Sequence, residues 1–316
     1  MTAPSDATPP RTVLLIAHTG RSDAVEVATA VSKRLMGSGM TVRLLADEAE
    51  DLHIDGVSVT DADTDAARDC EIALVIGGDG TILRAAALTR SAGTPLLGVN
   101  LGHVGFLAEA EWEDLDSTVD AIISADYAVE ERMTVDIVVS IDGTVESHCW
   151  ALNEASIEKA ARQRMLDVVV EIDDRPLSRW GCDGIVIATP TGSTAYAFSA
   201  GGPVVWPEVE ALLMVPISAH ALFARPMVAS PTSTLAVEVS AASATGGVLW
   251  CDGRRTVELP PGSRVEVRRG VRPVRLARLQ QAPFTDRLVA KFELPVHGWR
   301  GRAERRRAAR REEPDS

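Results

Sequence analysis

The run ALVIGGDGTILRAA, residues 73 to 86, breaks an apolar stretch with three glycines and one carboxylate before an apolar helical pattern resumes. Gly77, Gly78 and Gly80 leave the backbone bare, so N–H groups at a helix N-terminus can approach an anion, and phosphate is the natural tenant. Asp79 is the odd element, because a carboxylate aimed at a phosphate cradle repels it unless it serves a hydroxyl or a metal. In a loose phosphoryl-transfer transition state the attacking hydroxyl acidifies late, so a group that orients it and then takes its proton is sufficient. The plainer alternative is an Asx-type cap on the following helix. Neither G-x-x-x-x-G-K-[ST] nor G-x-G-x-x-G occurs, which sets aside a Walker P-loop and weakens a dehydrogenase reading.

Two further stretches carry chemistry. ATPTGSTAYAFSAGGP, residues 188 to 203, gathers Thr189, Thr191, Ser193, Thr194 and Ser199 among glycines, with Tyr196 as a flat face. Hydroxyls and bare amides suit phosphate, ribose and base edges, although Ser/Thr/Gly loops also serve as plain turns. In ALNEASIEKAARQRML, Asn153 can read a base edge and Glu154 can accept from vicinal ribose hydroxyls, while Arg162 and Arg164 offer diphosphate contacts. Exposed arginines are more often simply solvated.

The elements that must position these groups fall into two sets. RTVLLIAH, TVRLLAD, EIALVIG and PLLGVN read as strands, the first followed by a helix that Ser22 is expected to cap and Gly37 to end. Strands alternating with helices imply crossover connections and a mostly parallel, Rossmann-like sheet. After a helix in EWEDLDSTVDAIISADY the pattern changes to β-branched residues alternating with polar ones, with turns at Asp142-Gly143 and Asp252-Gly253. The expected organisation is an α/β domain over residues 11–126, a β-rich domain over 127–275, and a segment at 276–295 returning to the first, with flexible tails at 1–10 and 298–316.

Bulk properties narrow the classes. The 316 residues suit two cores; 46% apolar and 24% charged residues are ordinary for a soluble protein. The net charge of −13 argues against nucleic acid as a partner. The most apolar run, ALLMVPISAHALFA, is interrupted by Pro216 and His220, and MTAPSDATPP has neither a basic start nor an apolar core, so no membrane partner and a cytoplasmic location are expected. Cys70, Cys149, Cys182 and Cys251 form no C-x-x-C pair and read as reduced thiols, and His148 beside Cys149 lacks a second metal-binding pair. The seven arginines between Arg300 and Arg311 read as a solvated tail.

In order and separation, GGDGTIL, GVNLGHVGFLAE, ALNE, GCDG and TPTGSTAYAFSAGGP resemble the NAD kinase family over about residues 11 to 295. GGDG alone is shared with kinases of diacylglycerol, sphingoid bases and fructose 6-phosphate; TPTGSTAY with the upstream Asn-Glu pair is far more specific. A lipid or sugar kinase would explain the glycine loop and its carboxylate but not the hydroxyl-rich loop, and a non-catalytic dinucleotide sensor would need no Asp79. The resemblance implies transfer of the terminal phosphoryl of ATP, or of inorganic polyphosphate, to the 2'-hydroxyl of the adenosine ribose of NAD. It also implies a divalent cation, Mg2+, accompanying the donor, no metal site built from protein side chains, and a homodimer or homotetramer formed through the β-rich domain.

Residue by residue, the resemblance implies Asp79 as proton acceptor or hydroxyl-orienting group, with Gly78 and Gly80 beside the diphosphate. Phe106 would wall the adenine pocket, and Asn153 and Glu154 would hold an adenosine or ribose edge. Thr194, Ala195, Tyr196, Ala197, Phe198 and Ser199 would line the dinucleotide groove. Asp183 would meet the nicotinamide amide from a neighbouring subunit, Arg84 and Arg164 would face phosphate, and His220 would lie near the reacting phosphate. Val104 stands where leucine is frequent in the family, a volume change of little chemical consequence. Gly181 lacks the larger polar or cationic side chain that some members carry, which leads to the expectation that NADH is accepted as well as NAD.

Overall fold

The computed structural model describes residues 11–102, 105–111, 114–279 and 283–296. The tails expected at 1–10 and 298–316, and Val104, lie outside the described residues.

The apolar runs of the first third form β1 (Thr12–Ala17), β2 (Thr41–Leu45), β4 (Ile72–Ile76) and β5 (Leu96–Asn100), joined by a short β3 (Ser58–Thr60) that sequence periodicity does not show. They pair in parallel in the order β3-β2-β1-β4-β5. Every residue of β4 and β5 is buried, as continuous Val/Ile/Leu runs require when helices cover both faces. Helices α1 (Ser22–Gly37) and α4 (Leu115–Ser124) lie over one face; α3 (Asp79–Thr89) lies over the other, and α2 (Ala46–Leu52) follows β2. Helix α1 turns Ala24, Ala28, Val31 and Leu35 to the core, the spacing of a single helical face. Its cap position is Arg21 and not Ser22, which is the first helical residue; Asp23 instead accepts the Ala24 N–H at 2.8 Å. The sheet continues with a two-residue β6 (Ala110–Glu111) beside β5 and with β7 (Ala128–Arg132).

The rest of the chain is a sandwich of two six-stranded antiparallel sheets. Its strands are β8 (Val135–Ile141), β9 (Thr144–Ala151), β10 (Glu154–Lys159), β11 (Leu166–Ile172), β12 (Arg175–Cys182), β13 (Gly184–Ala188), β14 (Leu212–Ile217), β15 (Met227–Ala229), β16 (Leu235–Val239), β17 (Gly247–Cys251), β18 (Arg255–Leu259) and β19 (Ser263–Arg269). One sheet runs β15-β14-β13-β10-β17-β18 and the other β12-β11-β16-β19-β8-β9. Alternate residues such as Ile137, Val139, Val168, Val170, Ile185, Leu249 and Val265 meet Trp180 in one core between them. The expected Asp-Gly turns close β8–β9 through two residues and β17–β18 through three, with the Asp and the Gly at positive φ in both, 50° and 78° at Asp142-Gly143 and 52° and 62° at Asp252-Gly253. Asp173 and Asp174 make the same kind of turn without glycine.

After the sandwich the chain crosses back: β20 (Val274–Arg278) enters the first sheet between β5 and β7, parallel to the former and antiparallel to the latter. Helix α6 (Phe284–Phe292) follows it, and the two domains are therefore linked at both ends of the sandwich.

Candidate active site

The glycine corner is built at the carboxyl end of β4. Gly77 has φ +155°, and a Cβ there would lie 2.5 Å from Thr81 Oγ1, so glycine alone fits. Gly78 takes the cap position of α3 and Asp79 opens the helix. The Asp79 carboxylate accepts the N–H of Phe106 at 3.3 Å and of Leu107 at 3.2 Å, and a Cβ on Gly105 would sit 2.4 Å from Asp79 Oδ1. The second glycine of GHVGF is thereby explained: the segment must pass directly over the carboxylate.

Beside the corner, a cavity of about 560 Å³ opens at the carboxyl ends of β1 and β4. Gly78, Gly80, Thr81 and Arg84 line one side, the loop Ala17–Arg21 another, and Arg254 reaches in from the β17–β18 turn to donate to the Gly80 carbonyl at 3.1 Å. Its lining is bare amide and guanidinium, suited to phosphate. Arg84 is held by Asp47 at 2.9 Å and Glu48 at 2.7 Å. Glu48 is 1% exposed and accepts the Ala17 N–H at 2.9 Å; burial pushes its carboxyl up to about 7. Sequence reasoning passed over His18–Arg21 and Arg254. The first set could have been found from its place after β1, as a Thr-Gly loop at the ligand-binding edge of an open sheet; Arg254 lies far from the corner in sequence and had no local signal.

Across the junction, the Asn153 and Glu154 backbone is organised by Asp252, whose carboxylate accepts the N–H of Leu152, Asn153 and Glu154 at 3.0, 2.7 and 3.4 Å. The residue read as half of a turn is thus also the anchor of the Asn-Glu pair. The loop 188–203 packs directly on that pair: Thr189 N–H donates to the Asn153 carbonyl at 2.9 Å, and a Cβ on Gly192 would fall 2.0 Å from the same oxygen. Three of the hydroxyls expected to meet ligand donate to backbone carbonyls, Thr189 to Leu152 O, Ser193 to Val205 O and Thr194 to Thr191 O. Tyr196, Phe198 and Ser199 are exposed on α5 (Tyr196–Ser199), and Thr194 and Ala195 are half-buried, whereas Ala197 is fully buried against Val186, Leu213 and Val215 and serves packing.

Glu154 is 7% exposed, and its Oε2 has no hydrogen-bond partner among the described residues. Burial, and after it the neighbouring Asp252 carboxylate, push its carboxyl up to about 8 against the lowering influence of the Tyr196 N–H. The shift favours the protonated carboxyl, which carries both a donor and an acceptor.

Phe106 does face apolar partners, but they are supplied by α6. Its ring centroid lies 5.8 Å from Phe292 and 6.1 Å from Phe284, and Phe292 is 4.7 Å from Phe198. Helix α6 thus bridges two residues expected to wall the nucleoside pocket. Asp183, Arg164 and His220 lie elsewhere, at one end of the sandwich. Asp183 pairs with Lys159 at 2.5 Å, exposed Arg164 sits in the β10–β11 connection, and exposed His220 bridges to Gly181 through its N–H at 2.8 Å. No described hydrogen bond or ion pair ties these three to Asp79. The space that a Gly181 side chain would fill is occupied by the Met165 Cε, 2.6 Å from the Cβ position.

A parallel sheet with a glycine-lined anion cavity at its carboxyl edge, faced by a sandwich loop packed on an Asn-Glu pair, defines a two-domain kinase of the GGDG class. Sequence profiles of the ATP-NAD kinase N-terminal and C-terminal domains match residues 13–127 and 152–279, and the chain belongs to the ATP-NAD kinase family. It is 63% identical over 293 residues to NAD kinase 2 of Streptomyces coelicolor, covering 92% of this chain and 97% of that protein. It is 62% identical over 305 residues to the NAD kinase of Thermobifida fusca, covering 94% and 93%. In fold it resembles yeast NADH kinase complexed with NADH, with a TM-score of 0.83 at 22% identity over 94% of each chain.

Proposed function

We propose that the protein transfers the terminal phosphoryl group of ATP to the 2'-hydroxyl of the adenosine ribose of NAD, giving NADP, with inorganic polyphosphate as an alternative donor and NADH as an alternative acceptor. Asp79 carries the proposal. It sits at a helix N-terminus where α3, the glycine corner and the 105–107 segment meet, with both carboxylate oxygens fixed by backbone N–H groups. Each oxygen spends one lone pair in this way and keeps another for a hydroxyl. As the ribose oxygen bonds to phosphorus, the bond from phosphorus to the leaving ADP oxygen breaks and the hydroxyl proton passes to Asp79.

The remaining residues bind and orient. The amides of the corner with Arg84 and Arg254 face the phosphates, and Asn153, Glu154 and Tyr196 meet the nucleoside. Among the described residues no group of three His, Cys, Asp or Glu side chains could hold a metal ion. The divalent cation fits this site as part of the donor substrate, where it neutralises the phosphate chain. Asp183, with Arg164 and His220 at the sandwich end, serves the nicotinamide side of a neighbouring subunit's site in a homodimer or homotetramer. Exposed Leu222 and Phe223, two and three residues beyond His220, support an interface there. No described helix is long and apolar enough to cross a membrane, and a cytoplasmic location accords with the substrates.

The test is to incubate purified protein with ATP, magnesium and NAD and read NADP with an NADP-specific dehydrogenase. Stoichiometric NADP and ADP are expected; ADP release without NADP would refute the acceptor.

A further inference from the structure

A second cavity, of about 430 Å³, lies between β7, β20, α6 and residues 207–208. None of the residues expected to hold NAD lines it. Three guanidinium groups converge on it, Arg132 and Arg278, each 7% exposed, and Arg287, whose side chain is 15% exposed. Two carboxylates balance them: Glu109 pairs with Arg278 at 2.7 Å and with Arg287 at 2.8 Å, and Glu130 pairs with Arg278 at 2.8 Å. Glu130 also pairs with Arg132, whose Nη2 donates to it at 3.1 Å while Nε, 2.9 Å away, is out of line for a hydrogen bond. Arg132 Nε and Arg278 Nη2 are buried without a hydrogen-bond partner among the described residues. The remaining acid on the wall, Glu208, is exposed to water. Among the described residues the set therefore holds three guanidinium groups against two paired carboxylates, and burial together with the Arg278 charge pushes Arg132 down to about 10.

Excess buried guanidinium with orphaned donors is costly unless an anion completes it, and planar guanidinium forks match phosphate oxygens. Val129, Pro207, Pro283 and Phe284 give the same cavity an apolar wall large enough for a flat ring. We propose that this cavity is a second ligand site, separate from the NAD groove, which takes a small phosphomonoester bearing a planar ring. Arg287 connects it to the glycine corner. Its guanidinium donates to the carbonyls of Phe106 and Ala108 at 3.3 and 3.4 Å, on the segment whose N–H groups hold Asp79. Occupancy of the site consequently alters turnover, a consequence that rests on the phosphotransfer reading, whereas binding does not.

The experiment uses AMP as probe and calorimetry on the full chain preloaded with saturating NADP and magnesium ATP, a dead-end pair that fills the acceptor and donor positions. One further AMP per chain is expected, weakened at least about tenfold, the worth of one charge-assisted contact, by Arg132→Gln. Because a buried arginine variant can fail to fold, Val129→Trp is the companion: Val129 is 49% exposed, and a tryptophan there occupies the cavity from its apolar wall while every ion-paired residue is kept. It should abolish the extra AMP while leaving NAD phosphorylation in the absence of AMP within about twofold. No uptake by the preloaded protein, or equal uptake by Val129→Trp, overturns the site. At saturating ATP and NAD, AMP should change kcat in the parent chain and not in Val129→Trp; binding with no change in kcat overturns the link through Arg287.

Discussion

Replacing Glu154 by glutamine tests whether the Asn-Glu pair is a neutral, buried element of the nucleoside pocket. In the native chain burial and Asp252 hold the Glu154 carboxyl near 8 against an ordinary 4.5, so over that interval the folded state keeps a proton that the unfolded chain has released. The contribution is therefore fully present at low pH and is lost as pH rises through about 8. For a group titrating there, the step from pH 7 to pH 9 removes about 1.4 kcal/mol. Glutamine does not titrate, and any penalty from its amide at the unpartnered Oε2 position is the same at every pH. The gap in melting temperature between variant and parent should therefore move in the variant's favour by roughly 2–4 °C between pH 7 and pH 9, measured by differential scanning calorimetry. Asp252, also raised by burial, is present in both proteins, and its coupling to residue 154, which glutamine removes, is part of the difference that is read. Parallel profiles across that range would refute the assignment of a buried, protonated Glu154.

Gly192→Ala forces a methyl to within 2.0 Å of the Asn153 carbonyl, so the loop and the Asn-Glu pair must separate. A loss of about 3 kcal/mol in stability is expected from denaturant unfolding, with a higher KM for NAD than for ATP in whatever remains folded. NADH should be phosphorylated, because the space beside Gly181 holds the Met165 methyl, which carries no charge to tell the cationic nicotinamide ring from the neutral one; a kcat/KM for NADH below about one thousandth of that for NAD would end this idea.

How much of this was legible in the sequence depended on whether the signal was local. The parallel strands announced themselves as continuous apolar runs, because a sheet buried on both faces admits nothing else, and the two Asp-Gly hairpins followed from residues that tolerate positive φ. Strand β3, at three residues, is too short to show a period. The cap of α1 was misplaced by one residue because Ser22 is a good cap by type, yet the helix already begins there, behind Arg21, and the side-chain bond of its first turn comes from Asp23 to the Ala24 N–H. At the site, Asp79 and the glycines around it were legible because their backbone demands are local. Asp252 holding the 152–154 amides, Arg254 reaching Gly80 and α6 seating Phe292 between Phe106 and Phe198 are contacts between residues about a hundred or more apart, or between different domains. Nothing in a single stretch encodes them. At the 188–203 loop, composition shows a wealth of hydroxyls but not that Thr189, Ser193 and Thr194 each donate to a backbone carbonyl and so help to fix the loop.

The central claim is that the Asp79 carboxylate receives the ribose proton, and it is tested most directly by Asp79→Asn, with kcat for NADP formation and the Kd for NAD measured on the same preparation. The side-chain shape and one acceptor for the 106–107 amides are retained, so the Kd should stay within about threefold, while kcat falls by roughly 10²–10⁴-fold, as loss of a proton-accepting and orienting group implies. A variant that keeps kcat within about tenfold of the parent, or one whose loss lies wholly in NAD binding, would contradict the account.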